Sequence, residues 1–104
     1  SSDCPVTYPN WLHGVEASVL RESKATGTPV GPEQAVSVEQ AIKHYTINGA
    51  WQTHQEDIKG SIEPGKVADF CVLDQDILTI EPHEISKVKN IMTVLGGRVV
   101  YQSE

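Results

Sequence analysis

The sequence lacks a long hydrophobic run, a cluster of basic residues and any motif of closely paired cysteines. No apolar run approaches the roughly 20 residues that cross a bilayer, which predicts a soluble chain that does not interact with membranes. The formal net charge is -6 and the basic residues are scattered, which argues against a nucleic-acid partner because phosphate binding needs clustered Lys and Arg. With 38% hydrophobic and 21% charged residues among 104, the chain has the balance of one globular domain.

The two cysteines, Cys4 and Cys71, lie far apart and belong to no Cys-x-x-Cys pair. Cys71 stands in an apolar run, where a thiol behaves as a small hydrophobic group, so we expect it to be buried. Reduced thiols are typical of cytoplasmic proteins, and a cytoplasmic location is therefore expected. The chain begins Ser1-Ser2-Asp3 without an initiator Met, so we expect further residues upstream.

The sequence also lacks the common motifs of hydrolytic sites. A metal centre needs several His nitrogens and carboxylates at once, with one position open for water. The four histidines form neither a His-x-His nor a His-Glu-x-x-His pair: His13, His44, His54 and His83. There is no Gly-x-Ser-x-Gly elbow and no glycine-rich phosphate loop. Isolated histidines are more often surface or packing residues, so none of the four is predicted to bind a metal.

The first half of the chain has a helical pattern. Residues 11–23 place Leu12, Val15 and Val19 on one face at helical spacing. The connection that follows, residues 25–32, contains two glycines and two prolines and is predicted to be irregular.

A second helix is predicted to begin with a capping box. Ser37 can accept a hydrogen bond from the backbone N–H three residues on, and Gln40 can reach back to the Ser37 N–H. The helix then puts four apolar residues on one face: Val38, Ala41, Ile42 and Tyr45. Residues 46–49 are expected to interrupt it, with a second short helix from Ala50.

After Gly60 the pattern becomes that of turns and short strands. Pro64-Gly65 predicts a turn in which glycine takes the position that needs a positive φ. Residues 69–73 are almost wholly apolar and predict a strand covered on both faces. Residues 81–86 predict a helical turn opened by Pro, and Gly96-Gly97 predicts a two-residue hairpin between two apolar strands.

Three segments, in order, resemble motifs of the amidohydrolase superfamily. Residues 37–50, SVEQAIKHYTINGA, resemble its late helical segment, and residues 59–74, KGSIEPGKVADFCVLD, resemble its C-terminal signature. Residues 94–101, VLGGRVVY, are similar to its final hairpin. Residues 45–50 and 76–79 are most similar to the predicted metal-dependent hydrolases that include N-substituted formamide deformylases, some of which are named exoenzyme regulatory proteins.

The resemblance implies an α+β fragment, with the last helices of a (β/α)8 metal-dependent hydrolase barrel followed by part of a small C-terminal β-sandwich. Residues 1–58 would form the exit of the eighth barrel strand and the following helices, and residues 59–104 would form the sandwich part. In relatives the sandwich also takes strands from the N-terminus of the protein. Without those strands, we expect exposed apolar surface on the Leu12/Val15/Val19 face and at a strand edge. We expect this surface to cause self-association or a rearranged β pairing.

The resemblance also identifies a candidate site residue. Residues 1–6, SSDCPV, resemble the Gly-Ser-Asp-x-Pro-Val motif at the end of the eighth strand, with Ser1 where Gly is usual. In relatives the Asp of this motif is a metal ligand or a general base, so the resemblance implies two candidate roles for Asp3, as a metal ligand and as a catalytic residue that takes a proton from water. From the residues alone, an Asp here is more often a turn former or a helix cap. The other family ligands, such as the first-strand His-x-His, have no counterpart in this sequence.

The implied function is that of the C-terminal portion of a metal-dependent amidohydrolase. Such an enzyme hydrolyses a non-peptide C–N bond of a small amide-type substrate with metal-activated water. A divalent metal, expected to be zinc, would bind to the parent protein. We expect no bound cofactor and no activity from the fragment alone. The alternative is a non-catalytic regulatory or binding module of the same family.

Overall fold

The computed structural model describes residues 3–5, 7, 9–23 and 25–103. Within them the chain is a small α+β fold with α-helices, short 3-10 helices (η) and one antiparallel sheet, as predicted. The elements are, in order, α1 (Trp11–Leu20), η1 (Pro32–Gln34), α2 (Val38–Tyr45), α3 (Ile47–Gln52), β1 (Phe70–Leu73), η2 (Pro82–Lys87), β2 (Asn90–Leu95) and β3 (Arg98–Gln102). None of the helices in these ranges has the length and apolarity that a membrane crossing requires.

The chain divides into two compact units. Unit 1 comprises residues 1–42 and 77–87, and unit 2 comprises residues 43–76 and 88–104. The predicted boundary between a barrel part, residues 1–58, and a sandwich part, residues 59–104, stays a prediction.

In unit 1, capping fixes both ends of α1. The side chain of Asn10 accepts a hydrogen bond from the backbone N–H of Leu12 at 3.0 Å, which satisfies one of the free donors of the first turn. The helix ends at Leu20 because Arg21 adopts a left-handed conformation with φ 54°. It is therefore shorter than the predicted helix over residues 11–23.

The core of unit 1 lies between α1 and η2, which pack on each other. Leu12 and Val15 of α1 and Ile85 of η2 are buried. The carboxylate of Glu16 also accepts a hydrogen bond from the backbone N–H of Ser86 at 2.7 Å. The expectation that the Leu12 and Val15 face is exposed is wrong, because η2 packs on α1.

The predicted capping box at the start of α2 is confirmed. The backbone N–H of Gln40 donates to Ser37 Oγ at 3.1 Å, and the backbone N–H of Ser37 donates to Gln40 Oε1 at 3.2 Å. The interruption after α2 is shorter than predicted, since α3 begins at Ile47 and residues 48–49 are helical.

The sheet of unit 2 has the strand order β1-β2-β3 with antiparallel pairing. Phe70 pairs with Val94. The predicted hairpin is confirmed, because Gly96 and Gly97 have φ values of 58° and 81°, as a two-residue turn with both residues left-handed requires. The backbone N–H of Gly96 also donates to the carboxylate of Asp69 at 2.7 Å, which ties the hairpin turn to the residue before β1.

The prediction that residues 69–73 form a strand covered on both faces is wrong in part. β1 forms, but Phe70 and Val72 each keep 37% of their surface exposed. Cys71 is exposed as well, which corrects the expectation that it is buried. A strand of this composition needs a layer on each face, whereas the described part of unit 2 has one three-stranded sheet.

Two glycines with positive φ shape the loop between α3 and β1. Gly65 has φ 91° in the predicted Pro-Gly turn, and the backbone N–H of Lys66 donates to the Glu63 carbonyl at 3.2 Å. Gly60 has φ 101° and lies so close to α3 that an added Cβ would be 2.7 Å from Ala50 Cβ and 3.0 Å from Ile47 Cα. Only glycine fits this position without displacing α3.

Candidate functional site

Asp3, the candidate metal ligand, is exposed in a turn with Cys4 and Pro5. Its backbone is left-handed, with φ 49°, which Asp tolerates better than most residues. The peptide bond between Cys4 and Pro5 is cis. The strand predicted to end before Asp3 falls on residues 1–2, which lie outside the described residues, as does residue 6 of the motif.

The chain continues from this turn into the capped start of α1. Asp3 thus precedes a helix whose first turn is fixed by Asn10. Loops that lead into helices are where barrel enzymes place catalytic groups. The assignment of a catalytic and metal-binding role to Asp3 stays a prediction.

A metal centre would need several donor side chains close together. Among the described residues, no three His, Cys, Asp or Glu side chains are arranged to hold a metal ion. The histidines are distributed over separate elements, with His13 on α1, His44 on α2, His54 after α3 and His83 in η2. A catalytic zinc takes three protein ligands. The side chains described here therefore do not fit a complete centre, and Asp3 could contribute one ligand to it.

The structure does bring titratable side chains together elsewhere in unit 1. Nδ1 of His83 lies 2.8 Å from Glu81 Oε1, and Nε2 lies 3.0 Å from Glu22 Oε2. The hydrogen bonds with Glu81, first, and Glu22 raise the pKa of His83 to about 9. The bond with His83 in turn lowers the pKa of Glu81. Sequence reasoning missed this cluster because Glu22 and His83 are 61 residues apart, and the Glu81-x-His83 spacing is its one local signal.

A second polar cluster lies in unit 2. Lys66 Nζ donates to Ser61 Oγ at 2.8 Å and lies 3.1 Å from Glu63 Oε2, and the Ser61 hydroxyl donates to the same carboxylate. These bonds, with that of Ser61 first, lower the pKa of Glu63. A serine nucleophile needs a base that can take its proton, whereas here the ammonium and the carboxylate are paired with each other. The cluster therefore stabilises the turn over residues 61–66.

The proteins that this chain is similar to point to one family. The profile described as Amidohydrolase family matches residues 1–101. YtcJ of Bacillus subtilis strain 168, which is named as an amidohydrolase, is 33% identical over 103 residues, covering 97% of this chain and 20% of the relative. The N-substituted formamide deformylase of Arthrobacter pascens is 35% identical over 85 residues, covering 82% of this chain and 16% of the relative.

A solved structure is similar as well. The amidohydrolase from Thermotoga maritima MSB8 has a TM-score of 0.57 and 28% sequence identity, covering 68% of this chain and 17% of that chain. This likeness agrees with a fragment of the amidohydrolase fold. The chain spans a fifth or less of the length of these relatives.

Proposed function

Because the chain belongs to the amidohydrolase family, we propose that it is the C-terminal portion of a metal-dependent hydrolase that cleaves a C–N bond outside ordinary peptides. The observation that carries the proposal is the family match over residues 1–101. One relative is named for the deformylation of N-substituted formamides, which supports a small amide as the substrate class. Neither nucleic acid nor a membrane is a partner in this proposal.

In this proposal the catalytic centre belongs to the longer protein. A divalent metal, expected to be zinc, supplies Lewis acidity when it is bound there. Asp3 contributes one exposed carboxylate from the turn before α1. Residues 1–58 are the end of the barrel and residues 59–104 are part of the sandwich. Since Cys4 and Cys71 are free thiols, a cytoplasmic location is also proposed.

The coding sequence upstream of Ser1 provides the first test. The proposal expects a His-x-His motif after an early strand and two further histidines before residue 1. A complete reading frame without these histidines would contradict the enzyme proposal and favour a non-catalytic regulatory module of the same family.

Activity measurements provide the second test. With an N-substituted formamide and added Zn²⁺, this chain alone should show no turnover above background, and Asp3→Asn should change nothing. In the longer protein the same substitution should lower kcat at least ~100-fold, because proton transfer and ligation by Asp3 are both lost. Asp57→Asn, at an exposed carboxylate of unit 2, is the matched control and should leave kcat unchanged. Turnover by the 104-residue chain that Asp3→Asn abolishes would show that the fragment is active, against the proposal.

A further inference from the structure

The ring of His83 lies between two carboxylates that come from different parts of unit 1. Glu81 precedes η2, and Glu22 follows α1. We propose that Glu22, His83 and Glu81 form a charge-dependent clasp, which holds the segment after α1 on η2 while the ring is protonated at both nitrogens and opens at Glu22 when the ring loses a proton.

The geometry requires the charged ring. Each ring nitrogen lies within hydrogen-bonding distance of a carboxylate oxygen, at 2.8 Å for Glu81 and 3.0 Å for Glu22. An ionised carboxylate only accepts hydrogen bonds, and neutral imidazole has a single N–H. Both contacts are therefore hydrogen bonds only in the imidazolium form, and a neutral ring leaves one nitrogen lone pair facing a negative oxygen.

The hydrogen bond between His83 and Glu22 is the one that breaks when the ring loses a proton. Glu81 is two residues from His83, and its second carboxylate oxygen accepts a hydrogen bond from the His83 backbone N–H at 2.9 Å. This local contact keeps Glu81 beside the ring in either protonation state. Glu22 is 61 residues away and reaches the ring from another element. A neutral ring therefore keeps Nδ1–H toward Glu81 and turns its lone pair toward Glu22.

The clasp holds a short ribbon, residues 21–23 paired with residues 28–30. Glu22 forms an antiparallel bridge with Pro29, so its backbone belongs to the ribbon while its side chain bonds to His83. The ribbon is closed by the backbone N–H of Val30 donating to the Arg21 carbonyl at 2.6 Å. Opening of the clasp releases the ribbon from η2 and leaves the buried packing of α1 on η2 intact.

Other charged side chains of the described residues in these segments bond to partners of their own. Glu16 accepts a hydrogen bond from the Ser86 backbone N–H at 2.7 Å, and Arg21 Nε donates to the Val30 carbonyl at 3.0 Å. Oε2 of Glu84 lies 3.4 Å from Nζ of Lys87. The carboxylates that set the charge of the ring are Glu81 and Glu22, and the pKa of about 9 that they produce agrees with the geometry.

An NMR titration of the His83 ring, combined with amide exchange, tests the clasp. The ring should titrate near pH 9 instead of near its ordinary value of 6.5. The Ser23 N–H donates to the Thr28 carbonyl at 2.9 Å, so the Ser23 and Val30 amides both report on the ribbon. Between pH 7 and 10 their exchange protection, corrected for intrinsic rates, should fall about fivefold, as expected for loss of an exposed ion pair. In Glu22→Gln, the side-chain carbonyl can accept a hydrogen bond from the charged ring, and the side-chain NH2 can donate one to the neutral ring. The exchange protection of the Ser23 and Val30 amides in this variant should therefore stay constant from pH 7 to 10.

Glu84→Gln is the matched control, since it removes the same charge from η2 without touching His83. It should respond to pH as the natural protein does. A ring that titrates near 6.5 in the natural protein would overturn the proposal whether or not the variants fold. Equal loss of ribbon protection in the natural protein and in Glu22→Gln would also overturn it.

Discussion

Unit 1 buries its apolar side chains in a core of its own, whereas unit 2 leaves many of its apolar side chains exposed. The buried residues of unit 1 are Leu12, Val15, Ala41, Ile77 and Ile85, and those of unit 2 are Ala50, Val88 and Val94. Among the large hydrophobic side chains that are exposed in the described residues, all but Val30 and Leu78 belong to unit 2.

The contrast follows from how each unit covers its elements. In unit 1 the apolar stripe of α1 is covered by η2, a segment that the chain itself supplies. In unit 2 the three strands form one layer, and β3 is exposed at all five positions. A sheet with apolar side chains on its faces is stable when a second layer covers them. Unit 2 thus has the surface of one layer of a larger structure, in agreement with its proposed origin in a sandwich.

The largest expected effect is loss of the unit 1 core. Ile85→Ala removes a side chain that is fully buried and should lower the free energy of unfolding by about 2–5 kcal/mol. Leu78→Ala, at a residue of unit 1 that is 60% exposed, should change it by less than about 0.5 kcal/mol. Urea unfolding followed by circular dichroism measures both. Equal effects would mean that unit 1 has no core of its own.

The next largest effect is expected where Gly60 packs on α3 in unit 2. Gly60→Ala should destabilise the protein by about 1–3 kcal/mol more than Gly65→Ala, because the new Cβ overlaps α3. Gly65 is a close control, since its φ is also positive, at 91°, and a Cβ there meets nothing within 4 Å. Urea unfolding followed by the NMR signal of the Trp51 indole gives the difference. Equal costs would show that the loop does not pack on α3 in solution.

A smaller effect is expected on self-association, which we propose occurs between copies of this chain through β3. Val100→Lys places a charge on this exposed edge strand and should weaken association about tenfold. Val30→Lys in unit 1 is the control, since Val30 is 57% and Val100 58% exposed. Sedimentation velocity over a range of concentrations measures the change. A monomer at every concentration would contradict the prediction.

The smallest effects concern pH, and they differ in direction between the units. The pKa of His83 is raised from 6.5 to about 9, so its contribution to stability is complete below pH 6.5 and is lost as the pH rises through 9. The pKa of Glu63 in unit 2 is lowered from 4.5, so its contribution is present above pH 4.5 and is lost as the pH falls through the folded value. The pH dependence of thermal unfolding of His83→Gln should therefore differ from that of the natural protein at alkaline pH. That of Glu63→Gln should differ from it at acid pH. Indistinguishable profiles for the two variants would contradict this assignment.

Features that depend on neighbouring residues were predictable from the sequence. The capping box of Ser37 and Gln40 and the Gly96-Gly97 hairpin form as predicted, because each is decided by side chains and φ values within a few positions. The end of α1 could not be predicted, because the helix stops at a left-handed Arg21 and not at a glycine or proline.

Features that join distant segments were not predictable. The covering of Val15 by η2 and the contact between Glu22 and His83 link positions about sixty to seventy residues apart, and no local pattern encodes them. The apolar run of β1 indicates a strand that needs a layer on each face, but the described residues leave Phe70 and Val72 partly exposed. The turn around Asp3 agrees with a turn-forming Asp, while its catalytic role rests on the family resemblance.

Because Cys71 is exposed, alkylation of its thiol can measure whether the sheet of unit 2 is covered. Cys71 lies on β1 opposite Thr93, and partial burial raises the pKa of its thiol. Any layer that covers this face of the sheet would block alkylating reagents, whereas the exposed thiol of Cys4 in unit 1 offers an internal reference. The ratio of the alkylation rates of Cys71 and Cys4 therefore reports, without any substitution in the chain, whether a second layer covers this face of the sheet.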